Sequence, residues 1–464
     1  MDETQGILEA FYLLLFLLPI IILILRQIRT SSSNGKSLPP GPTGWPILGN
    51  ILQVGTQAHS STAQMAQIHG PLISLKLGSQ LLIIGSTAEV AAEILKANDR
   101  VLSGRHVIQG VLVRGNDVNH FSLIFTDCND RWKYLRATCR AGLFSAQALE
   151  SHASLRERKV SEMVEFLNKR KGMVVELKDV VFVTIFNSLS HLFYSKDVLS
   201  LEDEEVGSDI KRPYLKLLEL GLTPNIGDFY PMLARFDLQG LNKKGAKLAD
   251  QLYDALRARI QQRRDGESVH EPNKQDFLDL LLANGFSDEE INSLFSVSSV
   301  LLVSVHCDSI NERDICELPY LQALAKETMR LHPPAPFLVP RRALETCQVM
   351  NYTVPKGAQV LVNIWAIGRD STTWEDPLIF NPDRFLKSNV DFKGNNFHLL
   401  PFGAGRRICP GLPLAVRQVP LVLASLLHYF DWSLPNNEDP MLLDTSETLT
   451  ITLRKKQPLL LVPK

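Results

Sequence analysis

Long amphipathic segments dominate the pattern of hydrophobic and polar positions along the chain. Apolar side chains recur three or four residues apart in stretches such as "SLRERKVSEMVEFLNKRK", which predicts helices that bury one face. "TAEVAAEILKAND" is a further predicted helix, with Thr87 as its cap. The same periodicity predicts helices over "DRWKYLRATCRAGLFS", "VVFVTIFNSLSHLFY", "GAKLADQLYDALRARIQQRRD", "DFLDLLLANG", "LPYLQALAKETMRLH" and "LAVRQVPLVLASLLHYF".

Strand patterns are fewer and shorter than helical ones. Residues 73–86, "ISLKLGSQLLIIGS", predict a β-hairpin because two apolar runs flank a Gly-Ser turn. "VPKGAQVLVNIWAIGRD" predicts strand and turn, and the C-terminal "TLTITLRKKQPLLLVPK" predicts paired strands. The fold expected from the pattern is therefore mainly α with small β-sheets.

The N-terminal segment has a different pattern from the rest. Ala10–Leu25, "AFYLLLFLLPIIILIL", carries no charge and is long enough, with its apolar neighbours, to cross a bilayer. Arg26, Arg29 and Lys36 follow it, which predicts that the globular part faces the cytosol. A cleaved signal peptide is the alternative, but the basic residues follow the apolar run and no small-residue cleavage site is clear.

A proline-rich stretch follows the predicted anchor. "LPPGPTGWPILGN" contains four prolines, which fix φ and remove hydrogen-bond donors, so it is predicted to be stiff and non-helical. It is either a strut that orients the globular part on a membrane or a simple domain-entry turn. The expected organisation is an anchor at residues 1–29, a linker and hinge at 30–50, and one large domain at 51–464.

Composition agrees with a large globular enzyme. The 464 residues are 45% hydrophobic and 21% charged, which are globular values. A net charge of −1 gives no reason to expect nucleic acid as a partner. Six cysteines without a C-x-x-C pair indicate a reducing compartment rather than a disulfide framework.

The segment "PFGAGRRICPG", residues 401–411, is the strongest candidate for chemistry. Gly403 and Gly405 allow a tight backbone turn. Cys409 comes just before a predicted helix, whose dipole and free N–H groups would favour a thiolate, and Arg407 adds positive charge. Such a thiolate could bind a metal, whereas an arbitrary lone cysteine is more often a small buried apolar residue.

This segment resembles the haem-binding loop of the cytochrome P450 family, F-x-x-G-x-R-x-C-x-G. Its fixed positions are filled by Phe402, Gly405, Arg407, Cys409 and Gly411. The resemblance implies the cytochrome P450 fold and haem b, iron protoporphyrin IX, as cofactor. It also implies that Cys409 is the catalytic residue and the axial ligand of the haem iron, and that Phe402, Arg407 and Gly411 help to bind the haem.

Two further motifs follow the order of the same family. "KETMR" supplies Glu327 and Arg330 of its E-x-x-R pair, and residues three apart share a helix face. "FNPDRF" supplies Arg384, the third member of the family's structural ion network.

Two other segments match residues with which the family holds the haem propionates. "RWKYLR" fits W-x-x-x-R and gives Trp132 and Arg136. Arg341, in "LVPRR", is implied to share this task with Arg407.

Several long stretches, among them "LHPPAPFLVPRRALETCQVMNYTVPKG", resemble the plant A-type microsomal members. Within these the similarity is greatest to N-methylcoclaurine 3′-hydroxylases of benzylisoquinoline alkaloid synthesis, followed by geraniol 8-hydroxylases. The resemblance implies a monooxygenase that inserts one atom of O2 into a small apolar or alkaloid substrate. It also implies electrons from NADPH through NADPH–cytochrome P450 reductase, and a single-pass location in the endoplasmic reticulum membrane with a cytosolic globular part. Substrate-pocket residues are expected at Ile108–Asn119, Ala335–Val339 and Ser446–Leu449.

One expected motif is missing. The family's central helix carries [AG]-G-x-[DE]-[TS], whose acid and alcohol relay protons during oxygen activation. Here "GFSDEEINSL" resembles the entry to that helix, but residues 295–314, "FSVSSVLLVSVHCDSINERD", contain no such motif. They are interpreted as a join at which half of the central helix and the next helix are missing.

The spacing of the other motifs supports a local deletion. The interval from Trp132 to Glu327 is shorter than the family's, whereas that from Glu327 to Cys409 is normal for plant members. Asp308 and Ser309 could imitate the acid–alcohol pair, and His306 could face the iron, but an apolar filler helix is the favoured interpretation.

Two alternatives of other classes remain open. A haem-thiolate isomerase or dehydratase would need no oxygen-activating pair, but the standard cysteine loop argues against it. A non-functional truncated gene product is the other alternative, and the sequence does not separate it from a genuine short form.

Overall fold

The computed structural model describes residues 37–107, 122–202, 208–221, 223–265, 276–294, 318–449 and 452–464. The predicted anchor Ala10–Leu25 and the interpreted join at 295–314, with Asp308, Ser309 and His306, lie outside these ranges.

Helices are the most abundant regular structure in the described chain, and residues 288–294 are helical in addition to the helices named here. They are α1 Ile51–Val54, α2 Ala58–His69, α3 Ala88–Ala92, α4 Asp130–Gly142, α5 Ala146–Ser151, α6 Ala153–Asn168, α7 Leu177–Tyr194, α8 Ser208–Leu220, α9 Ile226–Phe229, α10 Leu241–Arg264, α11 Phe277–Ala283, α12 Pro319–Leu331, α13 Ile364–Ile367 and α14 Leu412–Tyr429. Short 3₁₀ turns cover Pro231–Phe236, Pro382–Phe385, Gly405–Arg407, Pro435–Asn437 and Pro440–Leu442, and a π turn, Glu93–Ala97, continues α3.

The described strands form four small sheets. They are β1 Leu72–Leu77, β2 Gln80–Gly85, β3 Gly104–Arg105, β4 Val175–Glu176, β5 Arg341–Arg342, β6 Cys347–Val349, β7 Tyr352–Val354, β8 Gln359–Val362, β9 Trp432–Ser433, β10 Glu447–Leu449, β11 Leu453–Lys455 and β12 Leu460–Pro463.

The largest sheet has the order β1-β2-β8-β5-β3. Strands β1 and β2 form the predicted hairpin, in which Leu77 pairs with Gln80 across a turn where Gly78 has φ of 61°. Strand β8 is parallel to β2, and β5 is antiparallel to both β8 and β3. The smaller sheets are β10-β11, β4-β12-β9 and β6-β7.

Side-chain caps explain where several predicted helices begin. The Asn129 Oδ1 accepts a 2.8 Å hydrogen bond from the Trp132 N–H and so caps α4. Thr87 caps α3 as predicted, through a 3.5 Å bond from the Val90 N–H.

The entry to the predicted central helix is also capped. Residues 288–294 are helical, and Ser287 and Glu290 form a reciprocal capping box before them. The Ser287 N–H donates to Glu290 Oε2 at 2.9 Å, and the Glu290 N–H donates to Ser287 Oγ at 3.4 Å. The helix start expected within "GFSDEEINSL" is therefore present in the structure.

Two apolar cores lie on either side of the candidate loop. One is formed by α6, α7 and α14, with fully buried side chains such as Leu167 and Leu421. The other lies between the large sheet and α3 and includes Ile83, Val90 and Ala404. Because residue 404 belongs to one core and α14 to the other, the loop at 401–411 joins them.

Within the described ranges, only α14 combines the length and mean hydropathy, 1.2, of a membrane-spanning helix. Half of it is buried inside the protein, against α6 and its neighbours. Its apolar character is therefore explained by the core.

One sequence prediction differs from the structure. The segment after "VPKG" is not only strand and turn, because the Asn363 side chain accepts from the Ala366 N–H and starts the short helix α13. The C-terminal residues form paired strands as predicted, with β10 paired to β11, and β12 to β4 and β9. Local pattern does not reveal the partners of β12, because they lie in other parts of the chain.

Candidate active site

Glycine gives the cysteine loop its shape. Gly403 and Gly405 have φ of 69° and 67°, in the left-handed region that favours glycine. A Cβ on Gly405 would also lie 2.3 Å from the Leu95 carbonyl oxygen. The tight turn expected from the sequence is thus present. Gly411 has an ordinary φ of −80°, so its conformation does not require glycine.

Cys409 is held by backbone groups at the start of α14. Its N–H donates to the Phe402 carbonyl at 3.0 Å. Burial raises the pKa of the Cys409 thiol, while the Gly411 and Leu412 backbone N–H groups and the Arg136 charge oppose the rise. Local sequence predicts the helix-start effect but not the larger effect of burial. A half-buried thiol that already receives N–H groups is suited to bind a metal, which removes its proton outright.

Four arginines converge beside this loop: Arg105, Arg136, Arg341 and Arg407. Trp132 lies among them, with the Arg407 and Arg136 guanidinium carbons 4.8 Å and 5.3 Å from its ring centroid. Helix α4 produces this arrangement because residues 132 and 136 are one turn apart on its inner face. The two residues of the W-x-x-x-R motif therefore meet Arg407 from the cysteine loop.

Main-chain carbonyls accept most of the described hydrogen bonds from these side chains. Arg407 donates to the Ser103 oxygen at 3.0 Å and the Thr126 oxygen at 2.5 Å. Arg341 donates to the Ala404 oxygen at 3.2 Å. The remaining contacts are Arg136 to the Ile408 oxygen at 2.6 Å and the Trp132 indole N–H to the Leu123 oxygen at 3.0 Å.

The arginine cluster carries excess positive charge. Burial lowers the pKa of Arg105, Arg341 and Arg407, and repulsion among the guanidinium groups adds to the fall for Arg105 and Arg407. The pKa of Arg407 falls to about 10. Over the described ranges, the carboxylates acting on the cluster are Asp99, near Arg341, and Asp127, which raises the pKa of Arg407.

The residues present fit a haem. Several buried guanidinium groups with few carboxylate partners are costly unless an anion joins them. The two propionates of haem b are such anions, and Cys409 supplies a thiolate on an adjoining loop. Trp132, Arg136, Arg341 and Arg407 would hold the propionates, and Phe402, whose ring packs 5.6 Å from that of Phe392, shapes the loop around the ligand.

The sequence did not single out two residues of the site. Arg105 is 7% exposed and donates to the Ile124 oxygen at 3.0 Å and the Val339 oxygen at 2.6 Å. Asp99 accepts from the Arg406 N–H at 2.9 Å and from Arg341 at 3.3 Å. No local pattern distinguishes them from other charged residues, because their role depends on contacts hundreds of positions apart.

The E-x-x-R residues and Arg384 meet in a buried ion network. Both side chains of the Glu327–Arg330 pair are fully buried, with a bidentate contact at 2.7 Å and 2.8 Å. Arg384 reaches Glu327 at 3.2 Å. Burial alone would raise the pKa of Glu327, but hydrogen bonds from Arg330 and the Asn381 N–H, with both arginine charges, bring it below its usual 4.5. The network joins α12 to the segment before the cysteine loop.

The structure describes two of the three expected pocket segments. Ala335–Val339 adjoins the cluster, since Arg105 binds the Val339 oxygen. Ser446–Leu449 forms the start of the β10-β11 hairpin. The third segment, Ile108–Asn119, lies outside the described residues.

Comparison with known proteins identifies relatives along almost the whole chain. The family model for Cytochrome P450 matches residues 39–300 and 299–462. (S)-N-methylcoclaurine 3′-hydroxylase isozyme 1 of Papaver somniferum is 43% identical over 97% of this chain and 99% of its own length. The protein named "Probable (S)-N-methylcoclaurine 3′-hydroxylase isozyme 2" of Coptis japonica is 45% identical over 100% and 99%.

A third relative, corytuberine synthase of Coptis japonica, is 40% identical over 97% of this chain and 98% of its own length. The similarity to the N-methylcoclaurine 3′-hydroxylases expected from the sequence is thus confirmed. With a cysteine loop, an arginine cluster and relatives of this extent, the chain belongs to the cytochrome P450 family of monooxygenases.

Proposed function

We propose that the chain is a haem-thiolate monooxygenase of benzylisoquinoline alkaloids or closely related plant metabolites. The observation that carries the proposal is the 43–45% identity to two N-methylcoclaurine 3′-hydroxylases over nearly the full length of both chains. The arrangement of Cys409 beside three buried arginines and the half-buried Arg136 supports it, since these residues suit a haem and its propionates.

In this proposal, haem b supplies the chemistry of oxygen activation and insertion. One oxygen atom enters the substrate, and the other leaves as water after two electrons and two protons are supplied. The electrons come from NADPH through NADPH–cytochrome P450 reductase. Cys409 would bind the iron, and Arg136 and Arg407 would hold the propionates. The Glu327 network keeps α12 next to the segment that precedes the cysteine loop.

An apolar surface near the N-terminal end of the described chain supports a membrane location. Met232 is 87% exposed on the turn that follows α9, and Trp45 is 59% exposed in the proline-rich segment. The two regions touch, because the Tyr230 hydroxyl donates to the Ile47 oxygen at 3.1 Å. We place this surface against the endoplasmic reticulum membrane, beside the single-pass anchor expected at residues 1–29, with the globular part in the cytosol.

We also propose that a missing central segment limits the activity of this chain. The family model matches in two parts that meet at residues 299–300, inside the interpreted join. The alignment with the 45% identical Coptis japonica relative spans 495 positions, whereas the chain has 464 residues. That relative therefore contains residues without a counterpart here, as a deletion requires.

Product analysis tests the proposed activity. Microsomes containing the chain and a plant reductase would be supplied with NADPH and either (S)-N-methylcoclaurine or geraniol. Formation of hydroxylated alkaloid supports the proposal, whereas hydroxylated geraniol alone would favour the terpenoid alternative. If the chain gives no product from either compound, and a version with the missing segment restored also gives none, the proposed substrate class is wrong.

A further inference from the structure

A carboxylate outside the haem-binding residues lies at the meeting point of several chain segments. Glu447 begins β10, and its side chain is 18% exposed. The hairpin around it is closed by the pairing of Glu447 with Lys455 and by a 2.7 Å bond from the Lys456 N–H to the Ser446 oxygen. Its position in the hairpin thus places a charged side chain toward the protein rather than into solvent.

Both oxygens of this carboxylate are engaged by other elements. Oε1 contacts the His332 Nδ1 in a short hydrogen bond, and Oε2 accepts from the Trp365 indole at 3.3 Å. Arg369 approaches Oε2 at 3.9 Å, while its guanidinium carbon lies 3.8 Å from the Trp365 ring centroid. One carboxylate therefore connects β10 to the end of α12, to Trp365 in α13 and to Arg369 just after α13.

The electrostatic environment favours the charged form of this group. Burial alone would raise the pKa of Glu447, but the hydrogen bond from His332, the charges of His332 and Arg369 and the bond from Trp365 bring it below its usual value. Contacts to a charged acceptor are stronger than those between neutral groups. These contacts therefore form a specific connection, called the tie below, between β10 and the residues His332, Trp365 and Arg369.

The tie joins the two described segments that the family resemblance implies for the substrate pocket. His332 caps the C-terminal end of α12, and the chain then runs directly into Ala335–Val339. A second bond at the same place, from the Leu453 N–H to the Pro334 oxygen at 2.7 Å, holds the other strand of the hairpin. The Gln57 side chain also donates to the Glu447 carbonyl at 3.4 Å.

We propose that Glu447 is a positioning residue that fixes Ser446–Leu449 relative to Ala335–Val339 and thereby sets which substrates the pocket accepts. The proposal rests on the proposed function and on the pocket segments that the family resemblance implies. The carboxylate itself need not touch substrate, because both of its oxygens are already used. Without it, the hairpin retains its own pairing and the Leu453–Pro334 bond, so it would loosen rather than unfold.

Hydrogen–deuterium exchange of the full-length protein tests the tie without requiring bound haem. Glu447→Ala should speed exchange about tenfold in peptides covering residues 332–339 and also in peptides covering 446–456, since losing one charge-assisted contact costs at least ~1.4 kcal/mol locally. His332→Ala should do the same, and the double variant should add little to either single one. Glu438→Gln, which changes an exposed acid nine residues earlier with no side-chain contact described, serves as the matched control.

Unchanged exchange in Glu447→Ala, or faster exchange in the hairpin alone, would overturn the proposal. Glu447→Gln, which keeps the volume of the side chain, covers the case in which the alanine variant does not fold. In Glu447→Gln, exchange should also become faster in both groups of peptides, by a smaller factor than in Glu447→Ala. If exchange does not rise in both groups, the proposal is equally overturned.

Equilibrium dialysis with labelled (S)-N-methylcoclaurine then separates this proposal from the proposed function. Weaker alkaloid binding by about tenfold in Glu447→Ala, with the control unchanged, supports a role in specificity. Equal binding by variant and wild type overturns that role. If wild type binds geraniol but no alkaloid, the substrate class is wrong, and the same comparison made with geraniol decides the role of Glu447.

Discussion

At the scale of single residues, Cys409 carries the clearest prediction. Cys409→Ser replaces the thiolate by a much weaker ligand, so the haem-loaded variant should lose the thiolate-type spectrum of its reduced carbon monoxide complex. Cys347→Ser, which changes a half-buried thiol in β6, is the matched control and should leave the spectrum unchanged. A variant at 409 that kept the spectrum would show that another group binds the iron.

Arg105 carries the second residue-scale prediction. It is buried, it belongs to the arginine cluster, and it holds Ile124 and Val339 through their carbonyls. Arg105→Ala removes a charge-assisted contact of about 1.5–3 kcal/mol, so haem should transfer to apomyoglobin roughly tenfold to a hundredfold faster. Arg100→Ala changes an arginine that is 77% exposed and should not alter the rate. Equal rates for all three proteins would remove Arg105 from the haem site.

At the scale of secondary-structure elements, the Glu327 network predicts a pH-dependent stability. Removing one partner of a buried pair costs about 3–5 kcal/mol, so Glu327→Gln should lower the free energy of unfolding by that amount at pH 7. The network keeps the pKa of Glu327 below 4.5 in the folded state. Its stabilisation is therefore present above pH 4.5 and is lost as the pH falls through the lower folded pKa.

Urea unfolding at pH 7 and at pH 3.5 checks this prediction. The difference between wild type and Glu327→Gln should shrink at the lower pH, because pH 3.5 lies below the usual pKa of 4.5 that Glu327 regains on unfolding, and protonation of the unfolded state removes part of the stabilisation. Glu345→Gln breaks an exposed contact to Arg100 at 3.6 Å and should change stability by under ~1 kcal/mol at either pH. A difference that does not depend on pH would mean that packing, rather than charge, explains the effect of Glu327→Gln.

The helices also show how much of the fold can be predicted from the sequence. Hydrophobic periodicity predicted α4, α6, α7, α12 and α14, because apolar residues recur regularly along these helices. Periodicity did not predict α8, which contains Pro213, a residue that usually interrupts a helix. The motifs identified Cys409 and Glu327, but the partners of Asp99 and Arg105 are set by tertiary contacts that local sequence does not encode.

At the scale of the whole molecule, restoring the missing segment should increase function. Inserting the corresponding piece of a close relative between Asn292 and Ile310 would return the apolar contacts of the missing helices and the acid–alcohol pair. A domain is stable by only about 5–15 kcal/mol, so the restored contacts should first raise haem content and then alkaloid oxidation. The haem-to-protein absorbance ratio and product formation measure the two effects. Full haem content and equal turnover in the unmodified chain would show that the join is not a defect, and Asp308 and Ser309 would then be the pair to mutate.

The orientation of the molecule on its membrane is the last prediction. With the basic residues after Ala10–Leu25 on the cytosolic side, protease added to intact microsomes should digest the globular part. A lumenal protein of the same microsomes, cut only after detergent is added, is the internal control. Protection of the globular part until detergent is added would reverse the predicted orientation.

The proline-rich segment has a mechanical consequence. The Pro39 and Pro40 carbonyls bind the hydroxyl and N–H of Ser74 at 2.6 Å and 2.8 Å, and Asn50 exchanges bonds with Lys76 on the same strand. Residues 39–50 therefore run along the edge of β1 and move with it. Force from an N-terminal tether would first reach the β6-β7 hairpin, where the Ser37 carbonyl accepts from the Thr353 N–H, and then the edge of β1. The angle between a tether and the globular part would thus be set by these two neighbouring attachments.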